Sequence, residues 1–360
     1  MVVMQQRWLH ALAAAEARDA RASPGTLPHR DTARFIAASQ PEAGAWLDIF
    51  PDGTAATRIE SAPFEVALER RGGLRITLAA DAFDALEERG HVSKETGDAS
   101  LVSVRQGDRL ANGGEYNRRH HAVVHAVYKM VAAVATGSVV LGDKEKPALT
   151  ADLNESHTVD LASLGAAEDG GDVLYEIKVP SPLSSSKKSG FKTGKGTRAS
   201  GGTPASVGHM LGLGNTQEEY RALVHGVKGK GRKGTEPLNH STGRGWVAPR
   251  KGQYHAAQRR RTQVHAWIVE AGTGGIDGYS KAHIRYLDRK VADHGAADRT
   301  AYGRHRGSTR SYATHHTQQI VKAAVVGDAK AIVRKVNHLK TTAFSAPSAR
   351  AAATADGWGA

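Results

Sequence analysis

Apolar side chains recur at helical spacing most clearly at about residues 115–135. Val123, Val127, Val131 and Val134 lie three or four positions apart there, while charged and histidine residues occupy the other sides. Residues with this spacing share one face of an α-helix. The pattern therefore predicts an amphipathic helix that packs on a core through its valine face.

Three short stretches after this helix have patterns that are typical of β-strands: the first is apolar and β-branched, and the other two alternate apolar and polar positions. They are residues 138–142, 157–165 and 172–180. The third stretch has an apolar face of Val173, Tyr175, Ile177 and Val179, and a mixed face of Leu174, Glu176 and Lys178. Gly170 and Gly171 separate the last two stretches and predict a hairpin between them.

Helical patterns also lie on both sides of the three predicted strands. The candidate helices before them are residues 1–21, residues 31–47, a helix from Pro63 to Gly72, and residues 80–90. Those after them are residues 215–227, 252–262 and 279–293, with an apolar strand at 264–271 between the last two. Residues 311–340 predict a helical hairpin in which Gly327 ends the first helix and Asp328 caps the second.

Changes of composition divide these elements into regions. Residues 1–95 predict a helical N-terminal region, and residues 113–275 predict an α/β core. A basic insertion rich in Ser, Gly and Lys occupies residues 181–250 of that core. Residues 276–340 predict a helical C-terminal region, and residues 341–360, rich in Ala and Ser, predict a disordered tail.

Composition excludes several kinds of site. The chain has 360 residues, of which 40 % are hydrophobic, so it can bury a sizeable core. It contains no Cys, which excludes disulfides, thiolate zinc sites, iron–sulfur sites and a Cys nucleophile. No apolar run approaches the ~20 residues of a membrane-spanning helix, and residues 1–21 lack the pattern of a targeting peptide. We therefore expect an intracellular protein, nuclear or cytoplasmic, that is neither secreted nor membrane-bound.

Charge is distributed unevenly along the chain, whose formal net charge is +13. Residues 1–180 carry 19 Lys and Arg against 26 Asp and Glu, whereas residues 181–360 carry 30 against 10. A half this basic predicts a polyanionic partner, and nucleic acid, most simply DNA, is the expected one. The candidate phosphate-binding residues are Lys228, Lys230, Arg232, Lys233, Arg259, Arg260 and Arg261.

Asp160, Glu176 and Lys178 form the motif with the most specific chemistry. Residues two apart on a strand project from the same face, so Glu176 and Lys178 lie together, and the predicted hairpin brings Asp160 beside them. Neighbouring carboxylates repel each other unless a cation lies between them, and Mg²⁺ or Mn²⁺ suits their oxygen atoms. Such an ion polarises a phosphate oxygen and activates water, while Lys178 orients the water or stabilises the transition state. The three residues are therefore the candidate catalytic group, with the two acids as metal ligands.

This motif and the order of elements around it resemble the PD-(D/E)xK, or restriction-endonuclease-like, superfamily. Its core has the order αβββαβ, which the predicted helix at 115–135, the three strands, the helix at 252–262 and the strand at 264–271 follow. The resemblance implies that Asp160 and Glu176 bind the metal and that Lys178 is the motif lysine. It also implies a metal-dependent endonuclease that hydrolyses DNA phosphodiester bonds.

A second resemblance extends over roughly residues 30–340. The segments that carry it are ARFIAASQPEAGAWLDIFP, the region of FEVALERRGGL, GGEYNRRHHAVVHAV and EIKVPSPL. They are similar to the region downstream of the reverse transcriptase in LINE-like retroelement proteins of algae and plants. Relatives have a Cys/His zinc knuckle before the RRHH helix, but residues 91–114 contain no Cys. This resemblance implies a protein derived from a mobile element.

Other interpretations fit the same residues. A catalytically inactive, basic nucleic-acid-binding remnant of a retroelement protein keeps the cationic surface without the chemistry. A protein-interaction remnant has no affinity for nucleic acid. His120, His121 and His125 include an i,i+4 pair that can bind a metal, but a solvated helix face or phosphate contacts are the favoured explanation. The sequence leaves the oligomeric state open.

Overall fold

The computed structural model describes two large blocks of the chain and several shorter ones. The described residues are 38, 42–49, 58–72, 74, 76–79, 81–82, 115–135, 137–142, 159–164, 167, 171–180, 226–227, 250–251, 254, 262–293 and 311–345. Within them, no helix combines the length and apolar character needed to cross a bilayer.

Four helices and six strands form the described elements. The helices are α1 (Ser61–Arg71), α2 (Glu115–Ala132), α3 (Gly278–Asp293) and α4 (Tyr312–Ser345), and a 3₁₀ turn at Ala45–Asp48 precedes them. The strands are β1 (Val139–Leu141), β2 (Leu161–Ser163), β3 (Val173–Lys178), β4 (Gly226–Val227), β5 (Arg250–Lys251) and β6 (Gln263–Ile268).

The chain has a mixed α/β fold built on a four-stranded sheet. Its strand order is β1-β2-β3-β6, in which β1, β2 and β3 are antiparallel neighbours and β6 pairs parallel to β3. The predicted helix at 115–135, the three strands after it and the hairpin between β2 and β3 are confirmed. A parallel pair requires a crossover connection, which here spans the long segment between β3 and β6.

Alternation along β3 divides the core into two clusters. Tyr175 and Ile177 lie in the larger cluster, together with the valine face of α2 and buried residues of α3 and α4. Leu174 faces the other side of the sheet and lies in a smaller cluster with Val159, Ala162, Tyr254, Val264 and Ala266. The predicted division of β3 into two faces is therefore confirmed, and Glu176 belongs to the face of the smaller cluster.

The predicted helical hairpin at 311–340 is wrong, because Tyr312–Ser345 is one continuous helix. Asp328 does not cap a second helix; it is buried and forms ion pairs with Arg70 and Arg119. Gly327 does not end a helix either; it lies inside α4, where it faces Arg119 of α2 at ordinary van der Waals distances. Arginines of two other helices thus neutralise Asp328, which local capping rules assigned to a turn.

Two further predictions differ from the structure at their edges. Gly226 and Val227, expected at the end of a helix, instead pair with Lys251 and Arg250 in a two-stranded antiparallel sheet. Helix α4 continues to Ser345, five residues into the segment predicted as a disordered tail.

Several predictions lie wholly or mostly outside the described residues. They are the helices at 1–21, 31–47, 80–90 and 252–262, and the remainder of the helix at 215–227. Tyr254 is the described residue of the 252–261 segment, and it lies in a buried turn.

Candidate active site

Asp160, Glu176 and Lys178 meet at the carboxyl end of β3. Leu161 pairs with Tyr175, so the antiparallel register places Asp160, immediately before β2, level with Glu176. The backbone N–H of Ile177 donates a hydrogen bond of 2.7 Å to Asp160 Oδ2. The carboxylate of Asp160 is therefore held against the peptide group that joins Glu176 to the next residue, as the predicted hairpin requires.

Glu176 is buried, with 6 % of the residue exposed, and both oxygens of its carboxylate accept hydrogen bonds. Oε1 accepts from the ammonium group of Lys178, with which it forms an ion pair. Oε2 accepts from the hydroxyl of Tyr254 at 2.5 Å. Two donors therefore fix the orientation of this carboxylate and stabilise its charge.

Lys178 remains a cation in this setting. Burial lowers the pKa of its ammonium group, but the adjacent Glu176 and the charge of Asp160 raise it further, so the pKa lies above its ordinary value. A protonated lysine cannot abstract a proton, but it can orient a water molecule or stabilise the negative charge that develops on a phosphate. A protonated Lys178 therefore suits both roles expected of the motif lysine, which are orienting the water and stabilising charge.

His120 approaches the acidic pair from the first turns of α2. Its Nε2 donates a hydrogen bond of 2.9 Å to the carbonyl oxygen of Ile177 and lies 3.4 Å from Asp160 Oδ1. Because a carbonyl oxygen only accepts, Nε2 carries a hydrogen. Burial lowers the pKa of His120, but the hydrogen bond and charge of Asp160 and the Ile177 carbonyl outweigh it, so the pKa is raised.

Tyr116 lies one helical turn before His120 at the exposed side of the site. Its ring stacks on the imidazole of His120, with centroids 6.0 Å apart and planes at 17°. Burial and the charges of Asp160 and Glu176 raise the pKa of its hydroxyl above the ordinary value, against the opposing effect of Lys178 and Arg119. The hydroxyl therefore stays protonated and can donate a hydrogen bond.

The oxygen atoms at this edge suit a hard divalent cation. They are the carboxylates of Asp160 and Glu176 and the backbone carbonyl of Ile177, the residue that follows Glu176. Among the described residues, no group of three or more His, Asp or Glu side chains is arranged to hold a metal ion. Mg²⁺ is commonly bound through one or two carboxylates while it keeps several waters, so two acids are a sufficient protein contribution. Glu176 would have to share its oxygens with Lys178 and Tyr254 while binding the ion.

The other candidate residues are not part of this group. His121 and His125 are exposed on α2, on the side away from its buried valines. The candidate phosphate-binding residues all lie outside the described part of the chain: Lys228, Lys230, Arg232, Lys233, Arg259, Arg260 and Arg261.

Two members of the site were not identified from the sequence. The sequence shows His120 only as one residue of a histidine-rich helix, and its place in the first turns of the helix before the motif strands is the signal that points to the site. Tyr254 lies 78 residues after Glu176, to which it hydrogen-bonds, and no local pattern links the two.

Comparison with known proteins adds no relative to this description. No family model, no curated protein and no solved structure matches the chain. We therefore infer the function from the geometry of the site.

Proposed function

We propose that this protein is a metal-dependent endonuclease that hydrolyses phosphodiester bonds of DNA in the nucleus or cytoplasm, and that it derives from a mobile element. The observation that carries the proposal is the meeting of Asp160, Glu176 and Lys178 at the carboxyl end of β3. Two acids and a lysine at one strand end are the groups that metal-assisted phosphodiester hydrolysis requires.

Each residue has a role that follows from its contacts. Asp160 and Glu176 would hold Mg²⁺ or Mn²⁺, which when bound supplies a polarised phosphate oxygen and a water of lowered pKa. Lys178, protonated beside Glu176, orients the water and stabilises the charge on the phosphate. His120 holds Asp160 and the Ile177 carbonyl in place through Nε2.

The arrangement of elements supports a restriction-endonuclease-like core. Helix α2 precedes three antiparallel strands, and β6 joins them parallel to β3 after a long crossover. In sheets with parallel strands, ligands bind beyond the carboxyl ends of the strands, and this is where the three residues lie. The basic second half of the chain would supply phosphate contacts that position DNA without reading its bases.

The decisive experiment is cleavage of supercoiled plasmid in Mg²⁺. We expect Asp160→Asn and Lys178→Ala to lower the cleavage rate by at least about a hundredfold, because each removes a group that acts on the reacting phosphate. Glu65→Gln, at an exposed position of α1, is the matched control and should cut like the wild type. Chelation by EDTA should stop all cutting. Equal cutting by wild type and both site variants, or none by any, would reject the proposal.

The contacts of Glu176 also favour a second candidate, an inactive nucleic-acid-binding protein. Both oxygens of this acid are engaged by Lys178 and Tyr254, which is the arrangement expected of a carboxylate that serves structure alone. This candidate predicts DNA binding that weakens steeply with salt and is the same in wild type and Asp160→Asn, without cleavage in any divalent ion.

A further inference from the structure

Tyr254 is the described residue that joins the crossover segment to the acidic pair. It lies three residues after the end of β5 and is 1 % exposed. Its hydroxyl donates a hydrogen bond of 2.5 Å to Glu176 Oε2. The contact therefore links a segment of chain between the motif strand and β6 to the carboxylate at the centre of the site.

The ring of Tyr254 is fixed by the smaller core cluster. That cluster packs it with Leu174 and Val264 on the face of the sheet to which Glu176 belongs. It also contains Val159, the neighbour of Asp160 in the chain. The ring is thus packed on the face of the sheet to which Glu176 belongs, and its hydroxyl has little freedom to leave Glu176.

Loss of this hydroxyl would change what Glu176 can do. The carboxylate is buried, so Oε2 without its donor would be an unsatisfied charged atom, which is costly. The side chain would then rotate to bring Oε2 to water. Lys178 would at the same time lose an acceptor that is held in one orientation, because its ammonium group donates to Oε1 of Glu176.

We propose that Tyr254 is a positioning residue that fixes the Glu176 carboxylate and, through it, Lys178, so that both face the scissile phosphate in one geometry. This inference rests on the proposed function. Tyr254 is buried and acts through Glu176, so it does not touch the substrate. Outer residues that orient groups of a metal site typically contribute 10- to 100-fold to activity or metal affinity.

The first test compares Tyr254→Phe with Tyr279→Phe in steady-state DNA cleavage. Tyr279 is the matched control because its hydroxyl also bonds a side chain, His265 Nδ1 at 3.0 Å. His265 stacks on Tyr175, whose face of the sheet is opposite to that of Glu176. We expect Tyr254→Phe to lower kcat by roughly 10- to 100-fold and to leave KM for DNA unchanged. Tyr279→Phe should match the wild type in both constants.

The second test needs neither metal nor activity. The acetylation rate of Lys178 by an amine-reactive acetyl donor is measured by mass spectrometry in the metal-free protein. We expect faster labelling of Lys178 in Tyr254→Phe, because Glu176 then holds the ammonium less firmly, and wild-type labelling in Tyr279→Phe. Glu176→Gln should also accelerate labelling, and adding Tyr254→Phe to it should have no further effect, because both changes break the same chain of contacts.

The outcomes separate this inference from the proposed function. Wild-type kcat or wild-type Lys178 labelling in Tyr254→Phe would overturn the inference. If no form of the protein cuts DNA, the proposed function is rejected, while the labelling still decides whether Tyr254 positions Lys178. If Tyr254→Phe fails to fold, labelling of Glu176→Gln decides instead, and a wild-type rate there would equally overturn the inference.

Discussion

Two buried glutamates of this chain have opposite surroundings. Glu176 has the cation Lys178 beside it, whereas the hydrogen-bond donor beside Glu270 is the hydroxyl of Thr273, 2.9 Å from Oε2. Burial raises the pKa of Glu270 to about 8, against the smaller opposing effect of that hydrogen bond. Glu270 is therefore neutral in the folded protein at pH 7, whereas the partner of Glu176 is a cation.

This difference predicts a pH dependence of stability. An acid whose folded-state pKa is raised is protonated in the native chain and ionised in the unfolded chain, so stability falls as pH rises between the two values. Between the ordinary value of 4.5 and about 8, Glu270 should remove up to about 1.4 kcal/mol per pH unit from the free energy of unfolding.

Urea unfolding at several pH values in this range measures that contribution. Glu270→Gln keeps an acceptor for Thr273 and should flatten the decline, so that the variant gains on the wild type as pH rises. Glu65→Gln, at an exposed position, should follow the wild type. If the free energies of unfolding of wild type and Glu270→Gln change in parallel with pH, Glu270 is ionised in the folded protein.

At the scale of elements, helix α4 holds the described helices together. It packs against α1, α2, α3 and the 3₁₀ turn. At its middle, Asp328 forms buried ion pairs with Arg70 of α1 and Arg119 of α2. Gly272, at φ +75°, comes so close that a Cβ there would lie 2.8 Å from Arg70 Nε. The turn after β6 therefore needs a glycine both for its conformation and for room beside this cluster.

We expect Asp328→Asn to destabilise the protein strongly. The change removes the Asp328 carboxylate from two buried guanidinium groups, and breaking a buried pair in this way costs about 3–5 kcal/mol. Lys330→Gln is the matched control on the same helix, because the pair of Lys330 with Glu60 is exposed to solvent and is worth at most about 1 kcal/mol. Chemical denaturation measures both changes, and equal losses in the two variants would contradict the assigned role of Asp328.

At the scale of the whole molecule, charge is the property that bears on a partner. The net charge of +13 arises entirely in residues 181–360, which follow the motif strand directly. The acids that would hold a cation thus precede the cations that would hold phosphates. On the basis of this order we propose a nucleic-acid partner for both the active and the inactive candidate.

Binding of a fluorescent DNA duplex at increasing salt tests that partner. We expect the logarithm of the binding constant to fall linearly with the logarithm of the salt concentration, by about 0.9 for each phosphate contact. Replacing Arg259, Arg260 and Arg261 by Gln should reduce the slope by about 1 for each arginine that contacts a phosphate.

Arg285→Gln with Arg289→Gln, at exposed positions of α3, is the control for a general loss of charge. If this double variant reduces the slope equally, DNA binding depends on overall charge rather than on the three arginines. Absence of any binding would favour the protein-interaction remnant instead.

Local patterns predicted the elements that surround the site but not all of its members. The valine face of α2 and the alternation of β3 follow from periodicity, so Asp160, Glu176 and Lys178 could be placed together before any coordinates. Tyr254 could not be added to them, because its contact with Glu176 is made across 78 positions of sequence. Local capping rules also misplaced a helix boundary at Gly327, since they take no account of the arginines that neutralise the next residue.

The sequence by itself determined the order of the elements, the two faces of β3 and the division of charge along the chain, because these depend on short-range periodicity and composition. Tertiary structure decided that α4 is one helix, that His120 and Tyr254 join the acidic pair, and that Lys178 remains protonated between two carboxylates. Those outcomes depend on burial and on contacts between residues distant in the chain, and the energy of a buried charge is set by such neighbours rather than by local sequence.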